Sequence, residues 1–329
     1  MVTILNTSAL LDLERGDAAA PLRQAGYRLR TSLYDPARRT EDLIAALADA
    51  DAAIVGLDPI DGAVLDRTPR LRVVARTGVG YDNIDVAAAS ARDVVVCATV
   101  GSNDRTVAEL TWGLILALAR RIPQHDALVR AGRWERTHGM ELWGKTLGVV
   151  GFGAIGRAVA RRGAGFEMTV LAHDPGPDEQ AARALGVTLC SLPALLSVSD
   201  VVTLHVPLDR GSHHLIGEIE LGMMKPSALL INTSRGGVVD EPALVAALHE
   251  GAIGGAALDV FAAEPPGPVL EGLKDLPNVV LTPHYAGGTK ESIARALHMA
   301  VDNVARVLEG RRPLSAVDSR VCDRLALAP

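Results

Sequence analysis

The sequence has few aromatic residues, almost no cysteine and no surplus of positive charge. Three Trp, four Tyr and three Phe in 329 residues make the hydrophobic 48% almost wholly aliphatic. Thirty-nine acidic residues against 33 basic ones give a formal charge of -6. The chain therefore lacks the basic excess that neutralises phosphates along a nucleic acid, which excludes that partner class. Cys97, Cys190 and Cys322 are scattered, with the spacing of neither a disulfide framework nor a metal site. The longest strongly apolar stretch, Trp112–Ala119, lies between Glu109 and Arg120 and falls far short of the roughly 20 residues that cross a bilayer. Met1–Asp17 has no basic n-region and meets Asp12 and Glu14 early, so a secretory signal is not expected. Tandem repeats and low-complexity tracts are also missing. What remains is a metal-free cytoplasmic protein, and at about 150 residues per domain its length predicts two domains.

What is present is an alternation of short β-branched runs with Ala- and Leu-rich stretches. Val2–Leu5, Ala53–Val55, Arg72–Ala75 and Val94–Cys97 read as strands separated by helical patterns, the βαβ rhythm of a parallel sheet. A long helix is expected over Thr106–Arg121, where Val107, Leu110, Leu114 and Leu118 recur at spacings of three and four. Pro123 ends that run, and a second helical stretch reaches about Gly132. Six more strands follow Gly144: Leu147–Val150, Met168–Ala172, Val201–Leu204, Ala228–Ile231, Gly255–Leu258 and Val279–Leu281. Six is the number in a complete dinucleotide-binding sheet. A last helix, about Lys290–Leu308, stops at Gly310 with Pro313 beyond it, and Glu264–Pro268 reads as a tight loop. The fold class is α/β, with doubly wound parallel sheets.

Gly151, Gly153 and Gly156 form GFGAIG directly after the apolar run Leu147–Val150 and before the helical run Arg157–Arg162. Glycine permits a tight turn, a close backbone approach to a pyrophosphate and close helix packing, while the helix start offers N–H groups to the anion. The next strand ends at His173-Asp174, and Asp174 lies 18 positions after Gly156, near the spacing of about 20 expected for an acid that binds ribose hydroxyls. A carboxylate there repels a 2'-phosphate and no Arg directly follows it, which favours NAD over NADP.

Four polar positions punctuate the later strands: Arg235 in NTSRGG, Asp259 in ALDVF, Glu264 in AEPP and His284 in TPHYAGG. Each falls just beyond an apolar strand, where an open parallel sheet places its ligand crevice. With RTGVGYDNID at 76–85, ELWGKTLGVVGFGAIG at 141–156 and HVPL at 205–208, the chain resembles the D-isomer-specific 2-hydroxyacid dehydrogenases, most closely their phosphoglycerate dehydrogenase-like branch. The resemblance implies that Arg235, Glu264 and His284 are catalytic. Hydride transfer at C2 of an acid is coupled to proton movement at the attached oxygen, the task to which histidine is suited. His284 is the expected acid/base. Glu264 accepts a hydrogen bond from its other ring nitrogen, fixing the tautomer, and Arg235 clamps the substrate carboxylate with its planar fork.

Asp259 resembles the family's cofactor-facing acid. Further cofactor contacts are implied at Ala154, Ile155, His205, Val206, Pro207, Thr233, Ser234 and Gly287, although His205 reads nearly as well as a satisfied loop histidine. Arg76, Val79 and Gly80 are the implied substrate contacts, where Gly78 and Gly80 also suit a plain turn. The same resemblance makes residues 1–100 and 289–329 a discontinuous substrate domain, with 101–288 an inserted Rossmann NAD-binding domain, hinges near Gly101 and Gly287, and a homodimer through the cofactor domain. The 16 residues after Pro313 are too few for the regulatory domains of some phosphoglycerate dehydrogenases. The expected activity is hydride transfer between NAD and a small D-2-hydroxy acid or its 2-keto partner, with 3-phosphoglycerate, hydroxypyruvate and glyoxylate all open. Two alternatives remain: an NAD(H)-sensing corepressor of the same superfamily, which retains the catalytic residues, and formate dehydrogenase, whose family carries Gln where Glu264 stands.

Overall fold

The computed structural model describes all 329 residues. They divide into two compact units, Met1–Asn103 with Gly288–Pro329, and Asp104–Gly287. In the discontinuous unit, strands β1 (Thr3–Asn6), β2 (Arg28–Thr31), β3 (Ala52–Val55), β4 (Val73–Arg76) and β5 (Val95–Cys97) form a parallel sheet in the order β2-β1-β3-β4-β5. Successive strand residues point to opposite faces. Ile4, Ile54, Val73 and Val95 thus join Ala300, Val301 and Val304 of the helix Lys290–Leu308 on one side. Leu5, Val55, Val74 and Val96 join Leu43, Leu47 and Val64 on the other. Four of the five strands coincide with apolar runs. The fifth, β2, has the sequence RLRT and is nowhere buried; as an edge strand it spends Arg28 on Asp49, 3.4 Å away, so no hydrophobic pattern marks it. The short helix Ser319–Arg324, which buries Val321 and Cys322, likewise has no counterpart in the sequence reading.

The continuous unit holds seven strands rather than six: β6 (Thr146–Val150), β7 (Thr169–His173), β8 (Thr188–Leu189), β9 (Val201–Leu204), β10 (Leu229–Asn232), β11 (Gly255–Leu258) and β12 (Val279–Leu281). The extra one, β8, is a two-residue edge strand, too short to announce itself as an apolar run. The sheet order is β12-β11-β10-β9-β6-β7-β8, parallel throughout. Read from β8, this is the dinucleotide-binding order 3-2-1-4-5-6 with β12 as a seventh strand. Leu147, Val149 and Ile231 pack against Trp112 and Ile115 of the helix Asp104–Ala119 and Val159 of the helix Ala154–Gly165. Val150, Val202, Leu204 and Leu230 pack against Leu195, Leu221 and Leu244 on the opposite face. Both faces are covered, so the one edge where loops emerge from the strand C-termini is where a ligand is received. No helix of either unit is long and apolar enough to cross a membrane.

Candidate active site

All seven strands of the continuous unit run the same way, so the segments following β6, β7, β9, β10, β11 and β12 emerge along one edge. The order reverses between β6 and β9. There Gly151 sits at φ +93°, and a Cβ on it would lie 2.4 Å from the carbonyl oxygen of His205; glycine is required both by conformation and by contact. A Cβ on Gly156 would lie 2.0 Å from the oxygen of Gly151, so glycine also lets the helix Ala154–Gly165 begin against the turn. Gly153 caps that helix in an extended conformation with no side-chain cap, and open space surrounds its Cα. First-turn amides have no acceptor within a helix, and with the positive end of the macrodipole they form a donor set for a pyrophosphate.

Asp174, just beyond β7, accepts the Phe152 N–H on Oδ2 at 2.7 Å and the Gly176 N–H on Oδ1 at 2.9 Å. It ties the glycine turn to its neighbour and keeps lone pairs on both oxygens for ribose hydroxyls. His205 places Nε2 2.9 Å from Thr203 Oγ1, while its enclosed Nδ1 has no protein partner. Burial pushes this imidazole down to about 3, so His205 is neutral and unsuited to proton transfer. An uncapped helix start, a glycine with open space and an orphaned ring nitrogen beside Gly151 together fit a bound dinucleotide.

The segment after β10 carries Thr233, Ser234 and Arg235. Thr233 is buried, with its hydroxyl 3.0 Å from that of Thr111, so this side chain faces the helix Asp104–Ala119. Arg235 is half-buried and donates from Nη1 to the Ser234 carbonyl at 2.8 Å. Gly236 is fixed by contact, since a Cβ there would lie 1.8 Å from the carbonyl carbon of Phe261. The backbone that follows β10 is thereby pressed onto the backbone that follows β11, next to Glu264.

Asp259 at the end of β11 is fully buried. Its Oδ1 accepts from Thr282 Oγ1 at 2.5 Å and from the Tyr285 N–H at 2.8 Å, and its Oδ2 from the Ala286 N–H at 2.9 Å. The sequence reading made it a cofactor-facing acid. In the structure all three contacts go to the 282–286 turn, because a carboxylate sealed in the interior must be satisfied by donors at hand. That turn holds His284 at φ +51°, with its N–H donating to the carbonyls of Asp259 (2.7 Å) and Thr282 (3.1 Å). Nδ1 of His284 lies 2.6 Å from Glu264 Oε2, and Glu264 Oε1 accepts the Phe261 N–H at 3.2 Å. Both side chains keep a solvent-facing portion, 46% for His284 and 38% for Glu264. With Nδ1 engaged by the carboxylate, Nε2 is the nitrogen left to exchange a proton with a ligand. Gly287 follows immediately. Asn232 and Thr282 took no part in the sequence reading, although an Asn at a strand end with Ser two positions on is the signature of an Asx turn.

In the discontinuous unit, Arg76 ends β4 and folds its guanidinium over Gly78, where a Cβ would lie 1.3 Å from Nη1. Val79 and Gly80 follow, half-buried. Thr77 bonds Ser8 Oγ at 2.9 Å and the Val55 carbonyl at 3.2 Å, tying together the segments that leave β1, β3 and β4.

Residues 112–286 match the model of the D-isomer specific 2-hydroxyacid dehydrogenase NAD binding domain. A glyoxylate reductase of Korarchaeum cryptofilum is 44% identical over 286 residues, 85% of this chain and 86% of that one. A D-3-phosphoglycerate dehydrogenase of Methanocaldococcus jannaschii is 41% identical over 317 residues, 94% of this chain but 58% of that one. Among solved structures, the TT0316 protein from Thermus thermophilus superposes with a TM-score of 0.87 at 38% identity, over 96% of this chain and all of that one. A dinucleotide-type sheet, a glycine turn built for a pyrophosphate and these relatives agree: the chain belongs to the D-isomer specific 2-hydroxyacid dehydrogenase family.

Proposed function

We propose that Arg235, Glu264 and His284 carry out the family's reaction in this chain, the transfer of a hydride between a nicotinamide cofactor and C2 of a D-2-hydroxy acid or its 2-keto partner. The observation that carries the assignment is the 2.6 Å contact between His284 Nδ1 and Glu264 Oε2. It makes Nδ1 the hydrogen-bond donor to a carboxylate and leaves the Nε2 proton for the substrate oxygen. Bound NADH supplies the hydride. During reduction His284 releases its Nε2 proton to the oxygen on C2, Glu264 holds the ring while its charge changes, and Arg235 binds the carboxylate through two parallel N–H bonds. Oxidation returns the proton to Nε2. The test is keto-acid reduction by His284→Asn and Glu264→Gln beside wild type, with NADH binding measured separately.

The turn at Gly151–Gly156, with Ala154 and Ile155, is assigned to the pyrophosphate, Asp174 to the adenosine ribose, and His205, Val206, Pro207 and Gly287 to the remainder of the cofactor. Asp174 favours NAD over NADP by repelling a 2'-phosphate. Arg76 and the amides of Val79 and Gly80 are assigned to the acid. Small unphosphorylated acids such as glyoxylate and hydroxypyruvate fit better than a phosphorylated one. The segments leaving the five strands of the discontinuous unit expose Leu10, Leu33, Leu57, Tyr81 and Val100, and Arg38 among them is already paired with buried Asp58 at 3.0 Å. A homodimer through the cofactor unit is supported by its outer segment 122–143, where Ile122, Val129, Trp134 and Trp143 are exposed, Trp134 to 79%. Three unpaired cysteines support a cytoplasmic setting.

A further inference from the structure

Arg235 clamps an acid only if its guanidinium is presented in one place, and a backbone segment beyond the end of a strand has no ladder of its own to hold it. Around Arg235 the Val238 N–H, which donates to the Arg235 carbonyl at 3.2 Å, supplies part of that restraint, and one side chain supplies the rest on the strand side. Asn232, the last residue of β10, is 1% exposed. Its Oδ1 accepts the Ser234 N–H at 3.0 Å and the Ser234 hydroxyl at 2.8 Å. Its Nδ2 donates to the carbonyl of Arg235 at 2.9 Å. Its own carbonyl accepts the Asp259 N–H at 3.0 Å, which joins it to the strand end that holds the His284 turn. Both ends of one planar amide thus close a ring around residues 232–235, while Gly236 is pressed on Phe261 from the far side.

We propose that Asn232 is a positioning residue for the substrate clamp: its side-chain amide fixes the backbone of Ser234 and Arg235, so that the Arg235 guanidinium meets the acid already oriented. The proposal rests on the assignment of Arg235 to the substrate carboxylate. No other residue type fills the place as well. Asp offers Oδ1 but sets a second acceptor against the Arg235 carbonyl, Ser is too short to reach both partners, and an apolar residue leaves the Ser234 N–H without its acceptor and the Arg235 carbonyl with the Val238 N–H as its remaining backbone donor. Orientation settled before binding appears in the Michaelis constant as well as in turnover, and a displacement near 1 Å at such a group costs up to about 10²-fold.

The test is steady-state reduction of glyoxylate and hydroxypyruvate by NADH, with NADH affinity followed by quenching of protein fluorescence and folding by the thermal midpoint. Asn232→Asp should raise KM for the keto acid by about tenfold or more and lower kcat, with NADH affinity within about twofold of wild type. Asn232→Ser should move the same constants the same way and carries the test if the Asp variant does not fold. The discriminating measurement is the double variant. In an Arg235→Lys background, Asn232→Asp should add less than about twofold, because the interaction it supports is already lost, whereas a residue serving stability alone would add its full effect. Three outcomes overturn the proposal. If Arg235→Lys is impaired and both Asn232 variants behave as wild type, positioning alone is wrong. If Arg235→Lys is unimpaired, the substrate clamp is misassigned and the proposal falls with it. Full additivity in the double variant shows that Asn232 acts by another route.

Discussion

The two units share one architecture and place different residues on it. Each is a parallel sheet with helices on both faces, and each sends its loops from the C-terminal edge of the sheet. From the seven-stranded sheet emerge Gly151, Asp174, His205, Arg235, Glu264 and His284. From the five-stranded sheet emerge Leu10, Leu33, Leu57, Tyr81 and Val100, exposed and apolar, with Arg76 laid over Gly78. The fold supplies the edge in both cases, and the residues placed on it decide what the edge does. On this reading the seven-stranded unit performs the chemistry and the five-stranded one selects the acid. Changes in the first should move turnover and changes in the second should move mainly KM.

The largest effect belongs to His284. Its replacement by Asn should lower turnover in keto-acid reduction by about 10² to 10⁴ while NADH binding persists; a variant retaining turnover would remove the proton-transfer role. Arg235→Lys keeps the charge but loses the fork, so kcat and KM should both worsen, as a kinetic series over keto-acid concentration will show. Both constants staying within about twofold, a difference worth only about 0.4 kcal/mol, would make Arg235 structural. Asp174→Ala should narrow the preference for NADH over NADPH by about tenfold or more, since hydrogen bonds to a charged group contribute about 1.5–3 kcal/mol; the ratio of the two kcat/KM values reads this directly. On the five-stranded side, Leu57→Ser should raise KM for hydroxypyruvate by about fivefold with kcat nearly constant, because an apolar contact at an exposed position is worth about 1 kcal/mol, the low end of what such contacts give. A collapse of kcat there would erase the division of labour.

The last effect is on stability rather than on turnover, and it belongs to His205. His205 is held near 3 in the folded protein against an ordinary value of 6.5, by burial, so the unfolded chain takes up a proton that the folded one refuses. The stability tied to this neutral ring is therefore complete above about pH 6.5 and drains away as the pH falls toward 3. His205→Gln should flatten that part of the acid limb in urea titrations from pH 7 to 4, and an unaltered limb would show that the ring is not buried neutral.

Much of this was legible in the chain because the signals coincide with the physics. β6 and its glycines read directly, since an apolar run, a tight turn and a helix start each demand particular residues. The helix Lys290–Leu308 was bounded by its own stop signals. β2 escaped because an edge strand with Arg at 28 and 30 has no apolar face to display, and β8 because two residues form no pattern. Asp259 shows the limit most clearly. Its place just past a strand was readable, but whether its carboxylate turned outward or into the 282–286 turn depended on donors 23 to 27 residues away. Asn232, in NTSRGG, carries no legible role in the sequence for the same reason, its partners being settled only once the chain has closed around it.

Steady-state oxidation of NADH by the purified wild-type protein against a panel of 2-keto acids, with the configuration of each product determined, is the most direct test of the seven-stranded unit as a catalytic centre. Glyoxylate and hydroxypyruvate should be reduced, hydroxypyruvate to the D-hydroxy acid, and the His284→Asn variant should bind NADH equally well yet turn over neither. Tight NADH binding without reduction of any acid on the panel would contradict catalysis and leave the protein a sensor of its cofactor.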